Sequence, residues 1–149
     1  WEKVGDTMLL GEYHHNIDEK GRLVIPTKIR NELGNSFYIT RGIENCLNLY
    51  SIAKWDELVA KLNTLPFTKK DARAFTRFFY SGATVTEFDK SGRINIASPL
   101  VSYADIKKEC VIIGVGDHVE IWSNENFNKY IDSEFMAISK IAENLFEGD

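Results

Sequence analysis

The chain has 149 residues, 44% hydrophobic and 27% charged, with a formal net charge of −4. That balance is globular, and a chain of this length buries about two thirds of the surface its unfolded form exposes, enough to fold without metal or disulfide. No apolar run reaches the ~20 residues that span a bilayer, and no signal-peptide pattern precedes the first strand, so a cytoplasmic protein with no membrane partner is expected.

The net charge hides an asymmetry. Residues 117–149 hold eight acids and two lysines, a net −6, which leaves +2 over residues 1–116. An anionic partner needs local positive potential rather than a basic whole, so nucleic acid is not excluded. Cys46 and Cys110 lie in apolar surroundings with no CxxC between them, and read as buried, reduced thiols. Residues 1–7 fit no pattern used below and are expected to be a tag remnant or an upstream extension, with Met8 reading as a start.

In chain order, a strand is predicted over 12–17, then a tight turn, Asp18-Glu19-Lys20-Gly21-Arg22, and a strand over 23–25. A short helix follows, with Thr27 as candidate N-cap and Gly34 just past its end. Strands over 36–40 and 46–50 flank a glycine-containing turn, and Ser51 caps a longer helix with Trp55 on its inner face. Residues 64–81 form a connecting segment in which Thr68 caps a helix through Phe79. Phe75, Phe78 and Phe79 fall at i, i+3, i+4 and mark its packing face. The order then repeats: a strand over 84–88, the turn Asp89-Lys90-Ser91-Gly92-Arg93, and a strand over 94–96. A helix capped by Ser98 with Pro99 at its first position, strands over 109–113 and 118–122, and a helix capped by Ser123 with Phe127 inward complete the second copy. A helical tail over 136–149 follows; from Phe135, at the end of the second copy, an apolar row runs into it (Phe135, Ile138, Ile141, Leu145), expected to pack on its own domain or on a neighbour.

The repeat is therefore explicit. Residues 8–63 and 82–135 align at an offset of 71 through Gly11/Gly82, Asp18/Asp89, Gly21/Gly92, Arg22/Arg93 and Ile25/Ile96. After one inserted residue the offset is 72, through Ile39/Val111, Gly42/Gly114, Leu49/Ile121, Tyr50/Trp122 and Trp55/Phe127.

The Asp-x-x-Gly-Arg turn has a mechanical reading. Asp18 and Asp89 accept backbone N–H bonds that start the turn; Gly21 and Gly92 supply the positive φ that closes it. Arg22 and Arg93 then leave on the returning strand and pair back to the aspartates. A guanidinium held in this way is a planar fork suited to phosphate or a guanine edge, and Lys20 and Lys90 add a second cation to each turn. A single such turn reads equally as a plain hairpin with a surface ion pair worth under about 1 kcal/mol; its duplication at matched positions favours the recognition role.

Gly11-Glu12-Tyr13, the run from Asp18 to Pro26 and the second Asp89–Arg93 turn together resemble the MraZ family of bacterial regulators, which carry two AbrB-like motifs. The resemblance covers residues 8–135. It implies an α+β, β-rich fold: a pseudo-two-fold, swapped-hairpin AbrB-type β-barrel flanked by helices. It also implies a ring-shaped homo-oligomer that binds short direct DNA repeats upstream of the division and cell-wall operon, and thus a nucleoid-associated transcription factor. Carried across residue by residue, Arg22 and Arg93 are the primary DNA contacts, with Lys20 and Lys90 on phosphates, Lys28 and Arg30 as further candidates, and Asp18, Gly21, Asp89 and Gly92 shaping the turns. The second copy lacks a counterpart of Pro26 and of the cations Lys28 and Arg30, so the first half is expected to make more of the DNA contact.

The same residues bear on competing classes. There is no G-x-S-x-G, P-loop, G-x-G-x-x-G or H-E-x-x-H pattern. His14 and His15 point to opposite faces of a strand, and Gly114-Val115-Gly116 reads as a hairpin turn. No catalysis, metal or cofactor is expected. An antitoxin-like or other protein-interaction module with an AbrB-type barrel remains the alternative function, although such proteins usually carry one copy and a disordered tail.

Overall fold

The computed structural model describes residues 8–147; the expected tag or extension at residues 1–7 lies outside the described residues. The fold is mixed α+β and its sheets are antiparallel. β1 (Leu9–Asn16), β2 (Arg22–Val24), α1 (Thr27–Leu33), β3 (Ser36–Arg41), β4 (Leu47–Ser51) and α2 (Ile52–Leu62) come from the first copy. After α3 (Lys70–Ser81), the second copy supplies β5 (Thr84–Glu87), β6 (Arg93–Asn95), α4 (Ser98–Tyr103), β7 (Glu109–Gly116), β8 (Val119–Ser123) and α5 (Asn124–Glu134). A 3-10 turn (Phe135–Ala137) and α6 (Ile138–Phe146) follow. Among the described residues, no helix is long and apolar enough to cross a membrane.

The two copies exchange strands. One sheet has the order β1-β7-β8-β4-β3-β5 and the other pairs β2 with β6. The first strand of each copy thus lies against the third strand of the other, and the two strands that follow the Asp turns pair with each other. Side chains alternate across the large sheet. One face, with Phe37, Ile39, Leu49, Ile112 and Ile121, closes a single core with Leu23 and Ile94 of the small sheet and Ile29 and Leu100 of α1 and α4. The other face is covered by α2 and α3 around Tyr50, Trp55 and Phe79, and by α5 around Trp122 and Phe127.

The elements match the predicted order, with corrections at their ends. Ser51 and Ser123 do cap α2 and α5, accepting from the N–H groups of Lys54 (3.2 Å) and Asn126 (3.0 Å). Thr27 and Ser98 instead occupy the first helical turn, behind Pro26 and Ala97. Thr68 does not cap α3. Residues 66–69 close a turn through the Lys69 N–H to the Pro66 carbonyl, so the helix starts at Lys70. Buried Thr40 donates to the Phe79 carbonyl at 2.7 Å and Arg41 to the Phe78 carbonyl at 2.7 Å, fastening α3 to β3. No residue of α6 is buried; in the apolar row of the tail Phe135 meets the Tyr130 ring edge-on and Ile141 is half-buried, while Ile138 and Leu145 stay exposed.

One repeat equivalence also shifts. Phe37 and Ile39 lie opposite Ser51 and Leu49, while Cys110 and Ile112 lie opposite Ser123 and Ile121. Since Ser51 matches Ser123 and Leu49 matches Ile121, Ile39 is equivalent to Ile112, not to Val111, and Gly114 to Arg41, not to Gly42. A slip of one residue turns a strand's side chains to the opposite face: Ile39 and Ile112 share the main core, whereas Val111 packs with Trp122 and Phe127.

Candidate nucleic-acid interface

The two Asp-x-x-Gly-Arg turns are built alike. Gly21 and Gly92 take φ values of 83° and 75°, the left-handed region open to glycine. Their N–H groups donate to the Asp18 and Asp89 carbonyls, both at 3.0 Å, and the N–H groups of Asp18 and Asp89 donate to the Arg22 and Arg93 carbonyls, both at 2.9 Å. Asp18 Oδ1 accepts from the N–H groups of Lys20 (2.9 Å) and Arg22 (2.8 Å), and Oδ2 accepts from Arg22 Nε at 2.8 Å. Asp89 does the same with Ser91 N–H (2.9 Å), Arg93 N–H (2.9 Å) and Arg93 Nε (2.8 Å).

These donors stabilise the charged carboxylates. The backbone N–H groups of Arg22 and Arg93 contribute most, followed by the guanidinium bonds, and both aspartates are held below the usual carboxylate range. The arginines are bound through Nε, and the Arg22 and Arg93 side chains stay 33% and 30% exposed. A fixed, partly exposed guanidinium keeps its donors available without the entropy of ordering a free chain.

The turns are joined into one unit. Leu23 pairs with Ile94 between β2 and β6. The Ile25 N–H donates to the Gly92 carbonyl at 3.0 Å and the Ile96 N–H to the Gly21 carbonyl at 2.8 Å. Arg93 Nη1 comes within 3.9 Å of Asp18 Oδ2, so the second arginine leans toward the first turn.

The remaining candidates separate. Lys20 and Lys90 are exposed on their turns. Arg30, from the first copy, seats its guanidinium on Gly92 of the second: a Cβ added there would lie 2.4 Å from Arg30 Nη1. Arg30 also donates to the Ile25 carbonyl at 2.6 Å and the Thr27 hydroxyl at 3.1 Å, so it braces the second turn. Lys28 is not with them; it lines a different groove beside Leu9, Tyr13 and Glu32. Lys107 and Lys108, not among the residues the turn motif singles out, line the cleft at the first turn with Lys20 and Arg22. Their only signal in the sequence is the Lys-Lys pair itself, since their proximity depends on the exchange of strands.

A second polar cluster lies at the other end of the large sheet. His118 contacts Asp117 (2.7 Å) and Glu120 (3.3 Å), stacks on Tyr50, and shares Glu120 with Trp122 Nε1 (2.9 Å). Burial pushes the imidazole down, but hydrogen bonds to Glu120 and Asp117 outweigh it and raise its pKa. Cys46 and Cys110 are buried and unpaired, and burial pushes their thiols up to about 12 and about 11.

Fold and site together define a two-repeat α+β protein in which matching acid-locked arginine turns, one from each repeat, are joined at a shared small sheet. A family model described as "MraZ protein, putative antitoxin-like" matches residues 8–78 and again residues 79–148, one turn to each match. The chain belongs to the MraZ family.

Proposed function

We propose that this protein is a sequence-specific DNA-binding transcriptional regulator that reads short direct repeats upstream of the division and cell-wall operon, at the nucleoid in the cytoplasm, with no catalytic step. The observation that carries the reading is the pair of Asp-locked guanidinium forks on adjoining turns. Phosphate contacts supply affinity and base edges supply specificity, and a bidentate Arg fork on guanine O6 and N7 is the commonest specific contact. Lys20 and Lys90 stand beside the forks for phosphates. The exchanged pairing of the two copies supports the swapped-hairpin barrel that the family resemblance implies.

One subunit offers few cations, and tandem sites reward repetition of the same face. Met8, Leu10, Val85 and Val115 are exposed on strands β1, β5 and β7 or beside them, as are Phe135, Met136, Leu145 and Phe146 along the tail. This apolar surface favours a homo-oligomer, which we place in a ring. The family's description as antitoxin-like and the exposed Ile138, Leu145 and Phe146 of α6 favour a second reading, a protein-interaction module.

Fluorescence anisotropy tests both. Wild type and Arg22→Ala are titrated, at two salt concentrations, with a duplex of spaced short repeats and with a scrambled duplex. Preference of wild type for the repeats, lost in a folded Arg22→Ala, is expected; absence of salt-sensitive binding by wild type would leave the interaction module.

A further inference from the structure

The first turn has neighbours that the second lacks, and they come from an insertion. Asn16 pairs with Glu109 and Glu87 with Ser36, so Lys108 is equivalent to Asn35. Upstream, just past the short helices α1 and α4, Gly34 (φ 89°) and Asp105 (φ 56°) both take a positive φ, and they match at the same offset of 71 that aligns Thr27 with Ser98. Between those marks the second copy holds two additional residues, Ile106 and Lys107. Ile106 is 6% exposed and joins the main core, while its N–H donates to the Val101 carbonyl at 3.1 Å. The loop is thereby anchored, and the Ile17 N–H donates to the Lys108 carbonyl at 2.8 Å, fastening it to the residue before Asp18.

This fixed loop turns two exposed lysines toward the first turn. A cleft of about 560 Å³ lies between the first turn, with Asp18, Glu19, Lys20 and Arg22, and the loop lysines Lys107 and Lys108, so four cations line it with two carboxylates, of which Asp18 is engaged by Arg22. A second, of about 380 Å³, runs along the turn past Gly21, Ser98 and Val101 to Lys107. At the second turn, Arg30 fills the place that Val101 leaves open at the first. Among the described residues, Lys20 and Lys108 take part in no ion pair. Lys107 meets Glu125 at 3.6 Å, with both side chains exposed (83% and 63%); such a pair is worth little in water and yields readily to a phosphate.

We propose that Lys107 and Lys108 bind the DNA phosphate backbone beside the first turn, so that this contact is assembled from both repeats and carries more phosphate contacts than the second. The inference rests on the regulator reading above. Arg22 supplies the geometry of a base reader, and the lysines supply sequence-independent attraction.

The test is a Lys107→Gln/Lys108→Gln double variant of the full chain, with Lys69→Gln/Lys70→Gln on the exposed start of α3 as a control of equal charge change. Anisotropy binding to the repeat and scrambled duplexes is measured across a salt series. The log–log salt slope should shrink by about 0.9 for each lost contact, affinity for both duplexes should fall by the same factor, and the preference for repeats should persist, while the control pair keeps nearly the wild-type slope. An unchanged slope, or an equal change in the control, overturns the assignment of the lysines and leaves the regulator reading standing. Failure of wild type to show salt-sensitive binding overturns both.

Discussion

The first and second turns share a backbone, a carboxylate lock and a glycine in the same left-handed conformation, yet each is finished by the opposite repeat. Arg30 of the first copy lies over the second turn, and Lys107 and Lys108 of the second copy flank the first. The difference separates two uses of a cation. Arg30 spends its donors on the Ile25 carbonyl and the Thr27 hydroxyl and buries Gly92. The lysines at the first turn leave an open cleft, and Gly21 stays half-buried. The expectation that the first half makes more of the contact because it owns Lys28 and Arg30 meets a different arrangement: Arg30 serves the second turn, Lys28 lies apart, and the first turn draws its extra charge from the second half.

The largest effects are expected at the shared small sheet. Leu23 and Ile94 are matched, cross-paired and almost fully buried. Leu23→Ala and Ile94→Ala should each cost about 2–5 kcal/mol, as large-to-small changes in a packed core do, and urea denaturation should give similar losses for the two. A marked inequality would mean that one repeat carries the fold.

The glycines should separate the turns. Gly21→Ala and Gly92→Ala both force a side chain into a left-handed conformation, at about 1–3 kcal/mol. A Cβ at Gly21 meets the Ile96 carbonyl oxygen at 2.9 Å, which is backbone and has little room to yield. A Cβ at Gly92 meets the end of the flexible Arg30 side chain. Gly21→Ala should therefore lower the thermal midpoint more, even though Gly92 is the more buried. Asn35→Lys places at the second turn the cation that Lys108 supplies at the first, and the DNA salt slope should steepen by about 0.9.

Smaller effects follow from pH. Asp18 and Asp89 are lowered in the fold, so their contribution is present above the unfolded carboxylate value of about 3.9 and is lost as pH falls through the folded values. Asp18→Asn and Asp89→Asn should flatten the acid limb of a stability–pH curve to a similar degree, since both aspartates hold the same three bonds. His118 has the opposite sign. Its raised pKa gives stability that is complete below the unfolded value of about 6.5 and is lost as pH rises through the folded value. In His118→Gln, that loss over the neutral-to-alkaline range should disappear from urea midpoints.

Much of this was legible in the residues. The turns, the caps at Ser51 and Ser123, the inward Trp55 and Phe127 and the duplicated order of elements all rest on interactions a few positions long: an aspartate reaching the N–H groups two and four residues on, or a serine reaching three. The errors fell where local chemistry gives way. Thr68 could cap a helix, but residues 66–69 close a separate turn. The equivalence of Ile39 slipped by one because Val111 and Ile112 are both apolar, and only the strand ladder shows which of them faces the main core.

The two acid-locked arginine turns and the repeat that carries them are legible in the residue order, because both are set by contacts between near neighbours in the chain. Which cations stand beside which turn depends on packing between the two copies. Arg30, Lys107 and Lys108 reach their places through strands exchanged between the copies, and the choice of partner strand is made by burial of the sheet's apolar faces, which no single segment encodes.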